Sequence, residues 1–162
     1  MQGVQPETLV RSGPDVEIER LYRQQGGRLW RALVAYPGDP EVVSDAMAEA
    51  FAQALGRGDE LREPLRWVWR VAFRTAAGEL KHRRGHRPGL PPVIWEIDES
   101  VGELVAALRL LSPNQRAAVV LHYAGYPTKD IAQMLGSSAG TVRVHLSQGR
   151  KRLGKILEEH GD

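Results

Sequence analysis

Three features of this 162-residue chain predict an all-α protein of two small helical domains, the second a helix-turn-helix. Its apolar residues recur at intervals of three and four, not two. Prolines and glycines gather in clusters that separate long periodic runs. Near the C-terminus, Ala132, Gly136 and Val142 have the spacing of a short helix, a left-handed turn and a second helix.

The elements follow in order. A first helix is expected from about Asp15 to Tyr36, with Ile18, Leu21, Tyr22, Leu29 and Leu33 on one face and a kink or split at Gly26-Gly27. Pro37-Gly38-Asp39-Pro40 forms a turn in which Asp39 caps and Pro40 opens the next helix. That helix, to about Leu55, has Val43, Ala46, Met47, Ala50, Phe51 and Ala54 on its stripe and ends at the loop Gly56 to Asp59. A third runs from Pro64 to about Arg84 on a stripe of Leu65, Val68, Trp69, Ala72, Ala76 and Leu80. Residues 85–100, with Pro88, Pro91 and Pro92, read as an extended linker between domains 1–84 and 101–162. In the second domain Ser112-Pro113 starts a helix that Gly125-Tyr126-Pro127 ends, and Ser138 caps the last one.

Composition bounds the function. A chain 42% hydrophobic and 26% charged is a soluble globular protein, and the lack of cysteine excludes disulfides, a thiolate nucleophile and cysteine-ligated zinc. No stretch approaches the roughly 18 apolar residues of a membrane span, and the N-terminus lacks a signal-peptide pattern, so no membrane role and a cytoplasmic location are expected. Net charge is only +2, but it is segregated. Residues 39–60 carry −5 and residues 62–87 carry +6; residues 90–104 hold acids alone and residues 143–155 bases alone.

The basic segments carry the chemistry. The final helix would expose Thr141, Arg143, Val144, Ser147, Gln148 and Arg150 to a major groove, with Arg143 reading bases and Arg150, Lys151 and Arg152 holding phosphate. On the third helix Arg62, Arg66, Arg70 and Arg74 form a ladder beside Trp67, Trp69 and Phe73, and the run from Lys81 through Arg83 and Arg84 extends it. Cations and aromatic faces together suit unpaired nucleic acid. His82 and His86 have the spacing of two zinc ligands but lack the glutamate of HExxH and sit among arginines, so no metal site is assigned. No catalytic triad, phosphate loop or nucleotide fingerprint is present, which argues against an enzyme and against a cofactor.

These residues resemble a family, the extracytoplasmic-function (ECF) sigma factors of the sigma-70 class. LSPNQRAAVVLHYAGYPTKDIAQMLGSSAGTVRVHLSQGRKRL is similar to the domain that reads the −35 promoter element, VVSDAMAEAFAQAL to the helix that docks on the clamp helices of the polymerase β′ subunit, and WVWRVAFRTAAGELKHRR to the segment that captures the melted −10 element. The resemblance implies an alternative sigma factor that binds core RNA polymerase through Asp45, Glu49 and Phe51. It implies −10 single-strand contacts from Trp67, Arg70, Arg74, Lys81, Arg83 and Arg84. It further implies promoter DNA as a partner and, as for many members, an anti-sigma factor covering both DNA-facing surfaces. Departures at Phe73-Arg74, Gly78, Val144, His145 and Gln148 mean that the family's base preferences do not carry over. Gly140 to Gln148 also looks like the DNA-binding helix of response-regulator-type activators. The alternative is therefore a free-standing regulator that binds palindromic DNA as a dimer.

Overall fold

The computed structural model describes residues 13–37, 39–82 and 99–161. Within them lie seven α-helices and no strand: α1 (Pro14–Ala35), α2 (Pro40–Arg57), α3 (Pro64–His82), α4 (Glu99–Leu108), α5 (Pro113–Tyr123), α6 (Thr128–Leu135) and α7 (Ala139–His160), with a 3-10 turn at Gly58–Glu60.

The helix starts are made by the expected side chains. Asp39 accepts the Glu41 N–H at 2.9 Å, and Pro40 follows where a missing N–H costs nothing. Ser112 and Gln115 satisfy each other's backbone N–H, both at 3.3 Å, in a capping box. Ser138 Oγ accepts the Thr141 N–H at 3.1 Å. Gly136 ends α6 in the left-handed conformation, φ 64°, which its lack of a Cβ permits.

Two local expectations fail. The glycine pair does not break α1; Gly26 is buried, and a Cβ there would stand 3.3 Å from Met47 Cε, so it serves the close approach of α1 to α2. Nor does the 56–59 segment end α2 where expected, because the helix continues to Arg57 before tightening into the 3-10 turn. Of the linker expected at 85–100, residues 85–98 lie outside the described residues, and Glu99 and Ser100 already belong to α4.

The core begins between α1, α2 and α3, where Leu33, Val42, Val43, Ala46, Ala50 and Phe73 are buried. It does not stop at a domain boundary. Trp69, 2% exposed, lies between Phe73, with ring centroids 5.9 Å apart, and Tyr126 of the α5–α6 turn at 5.3 Å; Phe73 in turn stacks on Tyr36 at 5.5 Å. Polar contacts border this seam. Arg28 donates to Ala124 O at 2.8 Å, Arg74 to Gln133 O at 3.4 Å, and Arg66 Nε stands 3.3 Å from the buried Asp130 carboxylate as an ion pair without hydrogen-bond geometry. Among the described residues the two halves thus share one continuous core.

Seam chemistry gives the fold an alkaline limit. Burial pushes the Tyr126 hydroxyl up to about 12; Arg28 and Arg66 pull it down and Asp130 adds to the rise. Burial raises the Tyr36 hydroxyl as well, against the pull of Arg116. A phenol raised above its unfolded value binds its proton more tightly when folded, so its contribution is complete below about pH 10 and declines as pH rises towards about 12. Urea melts in that window are expected to show falling stability. The slope should be shallower in Tyr126→Phe, and an unchanged slope would remove Tyr126 as the cause.

Candidate nucleic-acid interface

The helix-turn-helix is built by α6 and α7 on a floor of α5. Ile131 (0% exposed) and Met134 (1%) of α6 face Val142 (0%) of α7, and Leu146 packs against the same core. A glycine missed in the sequence reading sets the fit. Gly149 is buried where α7 crosses α5, and a Cβ added there would stand 2.9 Å from Val119 Cγ2 and 3.2 Å from Gln115 O. Its spacing from Val142, one heptad along the inner face, is the signal that could have found it.

With the inner face committed, the outer face follows. Thr141, Arg143, Val144, Ser147, Gln148, Arg150, Lys151 and Arg152 are all exposed. Gln148 Oε1 accepts from Gln115 Nε2 at 3.3 Å, and the Arg150 guanidinium lies 6.0 Å from the centroid of the exposed Tyr123 ring. Every residue assigned to the groove therefore stands on one accessible surface of one helix.

The second basic surface is only partly as expected. Trp67 is half-buried with the Arg57 guanidinium 5.5 Å over its ring, and it lines a cleft of about 280 Å³ together with Arg57, Arg62, Arg66 and Arg70, where Glu60 and Glu63 are also in the walls and Glu63 pairs with Arg66 at 3.1 Å. That combination of cations around an aromatic face suits an unpaired base beside phosphates. Trp69 and Phe73, grouped with it on sequence, are instead seam core. Arg74 is exposed yet turned to Gln133 O, so the structure does not gather it into the cleft. The Lys81 side chain, Arg83 and Arg84 lie outside the described residues, as does the His86 of the histidine pair.

Asp45 and Glu49 are exposed one turn apart on α2, and Glu49 accepts from Gln53 at 2.7 Å. Phe51 does not join them. It is 8% exposed and meets Tyr22 edge-on at 5.0 Å, so it anchors α2 to α1 and has no face to offer a partner. Its place in the 3.6-residue repeat, on the stripe with Met47 and Ala54, already pointed inward.

Residues 102–153 match the family model for sigma-70, region 4. Over 156 residues the chain is 24% identical to the ECF RNA polymerase sigma factor SigM of Mycobacterium tuberculosis, covering 90% of this chain and 80% of that one. Over 159 residues it is 28% identical to the RNA polymerase sigma-E factor of Streptomyces antibioticus, covering 90% and 87%. The chain is thus similar to ECF sigma factors over 90% of its length, with the region-4 match at residues 102–153. Two solved structures share this sigma factor's fold. The Bartonella quintana sigma factor RpoE, in complex with the anti-sigma factor NepR, superposes with a TM-score of 0.67 at 17% identity over 88% of this chain and 97% of the other. CnrH, in complex with the cytosolic domain of CnrY, gives 0.62 at 22% identity over 88% of each. The matched region-4 segment ends at Leu153, so it contains the whole exposed face of α7 described above. No helix of the described residues of this sigma factor is long and apolar enough to cross a membrane.

Proposed function

We propose that this alternative sigma factor binds core RNA polymerase and reads a promoter with two separate surfaces: the outer face of α7 at the −35 element and the Trp67–Arg70 cleft, extended by the basic run after it, at the melted −10 strand. The observation that carries this is the exposure of all eight groove-directed residues of α7 on a rigid scaffold, with a second cation–aromatic site on α3. In this reading residues 1–84 bind polymerase and the −10 strand, residues 101–162 read −35, and residues 85–100 join them. The acidic face of Asp45 and Glu49 meets a basic clamp surface, and an anti-sigma factor is the partner that would cover the DNA-facing sites. The protein acts in the cytoplasm, where polymerase and promoter are. It does no chemistry itself; the polymerase makes the bonds.

Run-off transcription tests the reading. Core polymerase plus this chain should initiate at a defined start on a cognate promoter, and core alone should not. Dimeric binding to palindromic DNA with no gain in initiation would favour a free-standing regulator.

Position on α7 divides the labour. Arg143 is near the N-terminal end, which enters the groove, whereas Lys151 lies two turns on, where the helix leaves it. Arg143→Ala is expected to flatten discrimination at one or two base pairs. Lys151→Ala should weaken all sequences alike and lower the salt slope by about one ion. A titration over salt and single-base variants checks this, and equal effects of the two changes on every sequence would sink the division.

A further inference from the structure

The side chain of Arg116 is out of place for a surface helix. It is 9% exposed, and its Nε is buried with no hydrogen-bond partner. A guanidinium taken from water without a carboxylate costs several kcal/mol, and a native chain keeps such a group where something compensates it. Among the described residues nothing acidic does so. Arg116 lines a cavity of about 670 Å³ at the seam, bounded by Tyr36 and Ala77 on one side and the helix-turn-helix on the other, and among the described residues no aspartate or glutamate is in its walls. Burial pushes the guanidinium down from its ordinary value; the Tyr36 hydroxyl opposes this and Arg109 reinforces it, yet an arginine remains charged at neutral pH.

The remaining walls mix apolar side chains, Ala77, Leu135 and Val142 among them, with polar ones. His145 Nδ1 is buried without a partner and faces the same cavity from α7. The cavity also meets the first turns of two helices, at Asn114 of α5 and Thr141 of α7, where the positive ends of the helix dipoles favour an anion. Ser112 and Ser138 already take the N–H groups of Gln115 and Thr141, so the caps are satisfied and the anion preference falls to the side chains. The Ser137 hydroxyl and that of Thr141, which accepts from Ser138 at 2.8 Å and can donate outward, complete a set suited to a tetrahedral oxyanion.

We propose that this cavity is a binding site for a phosphate group, held by Arg116 with His145 and Thr141. The volume admits a small phosphate-bearing compound, within the usual range of about 300–1,000 Å³ for ligand pockets. Bound there, it would touch both halves of the chain. The same chemistry could be supplied by a DNA backbone phosphate, should the halves part. The site rests on the cavity and its donors, not on the promoter reading, and is tested without polymerase.

The probe is inorganic pyrophosphate, titrated into the full chain at constant ionic strength against sodium chloride. Calorimetry should show saturable binding, with a rise in melting temperature that chloride does not give. Arg116→Gln should weaken binding at least tenfold, and His145→Gln should weaken it less. Arg116→Lys, which keeps the charge and loses the fork, stands in should the glutamine variant not fold. In a second arm the wild type and the Arg116 variant bind a short duplex over a salt series. A salt slope lower by about one in the variant, with no pyrophosphate binding to the wild type, assigns the site to the DNA backbone. Pyrophosphate binding that survives the loss of Arg116 overturns the proposal, as does no pyrophosphate binding together with unchanged duplex binding.

Discussion

Trp69→Ala is expected to remove about 3–5 kcal/mol of folding stability, the usual loss for truncating a buried large aromatic. The indole is 2% exposed and meets both Phe73 and Tyr126, so its removal opens a cavity at the point where the two halves meet. The surroundings cannot collapse to fill it, because Phe73 is already held against Tyr36. Urea unfolding should move to a lower midpoint, and the halves should begin to unfold separately, seen as fluorescence and circular dichroism transitions that no longer coincide. Trp67→Ala should cost much less, since Trp67 is only half-buried. A loss below about 1 kcal/mol for Trp69→Ala would mean that the stack is not part of the core.

Gly149→Leu is expected to cost about 3 kcal/mol by overpacking and to lift α7 from its support on α5. Even a single Cβ would meet Val119 Cγ2 at 2.9 Å and the Gln115 carbonyl at 3.2 Å; the first belongs to a stiff buried side chain and the second to backbone. Neither can move aside. The helix itself should persist, so far-ultraviolet circular dichroism would change little while DNA affinity falls. Gly154→Ala is the control on the same helix. Nothing lies within 4 Å of its added methyl, so it should stabilise the protein by up to about 1 kcal/mol through helix propensity alone. Stabilisation at both positions would show that α7 does not press on α5 at Gly149.

What could be read in the sequence was local. Asp39, Ser112, Ser138 and Gly136 act within four residues of their partners, and the chemistry of capping and of positive φ fixes them without knowledge of the rest of the chain. The exposed face of α7 follows as the complement of Val142 and Leu146. What could not be read is the seam, because the partners lie far apart along the chain. Arg66 and Asp130 are separated by 64 residues and Arg74 and Gln133 by 59, and no periodicity links them. The arginine ladder shows how that matters. Four arginines spaced by one turn predict a uniform solvated face, yet two of the four are committed to α6. Trp67 and Trp69, two residues apart, end on different sides of α3 because two residues turn a helix by about 200°, and the apolar stripe already held Trp69. Arg116 escaped notice because Tyr36, which shares its cavity, belongs to the other half of the chain.

Arg66 and Arg74 are consequently claimed twice. A guanidinium that faces Asp130 or donates to Gln133 O has fewer N–H groups left for a phosphate. If the α3 surface captures a single strand, strand binding and separation of the halves are linked, and the apparent affinity is scaled by the fraction of molecules already parted. Whatever holds the two halves apart raises that fraction without touching the strand. A polymerase that engages both halves at separate promoter elements would do so, and the sigma factor alone is then a weaker strand binder than the same chain on the enzyme.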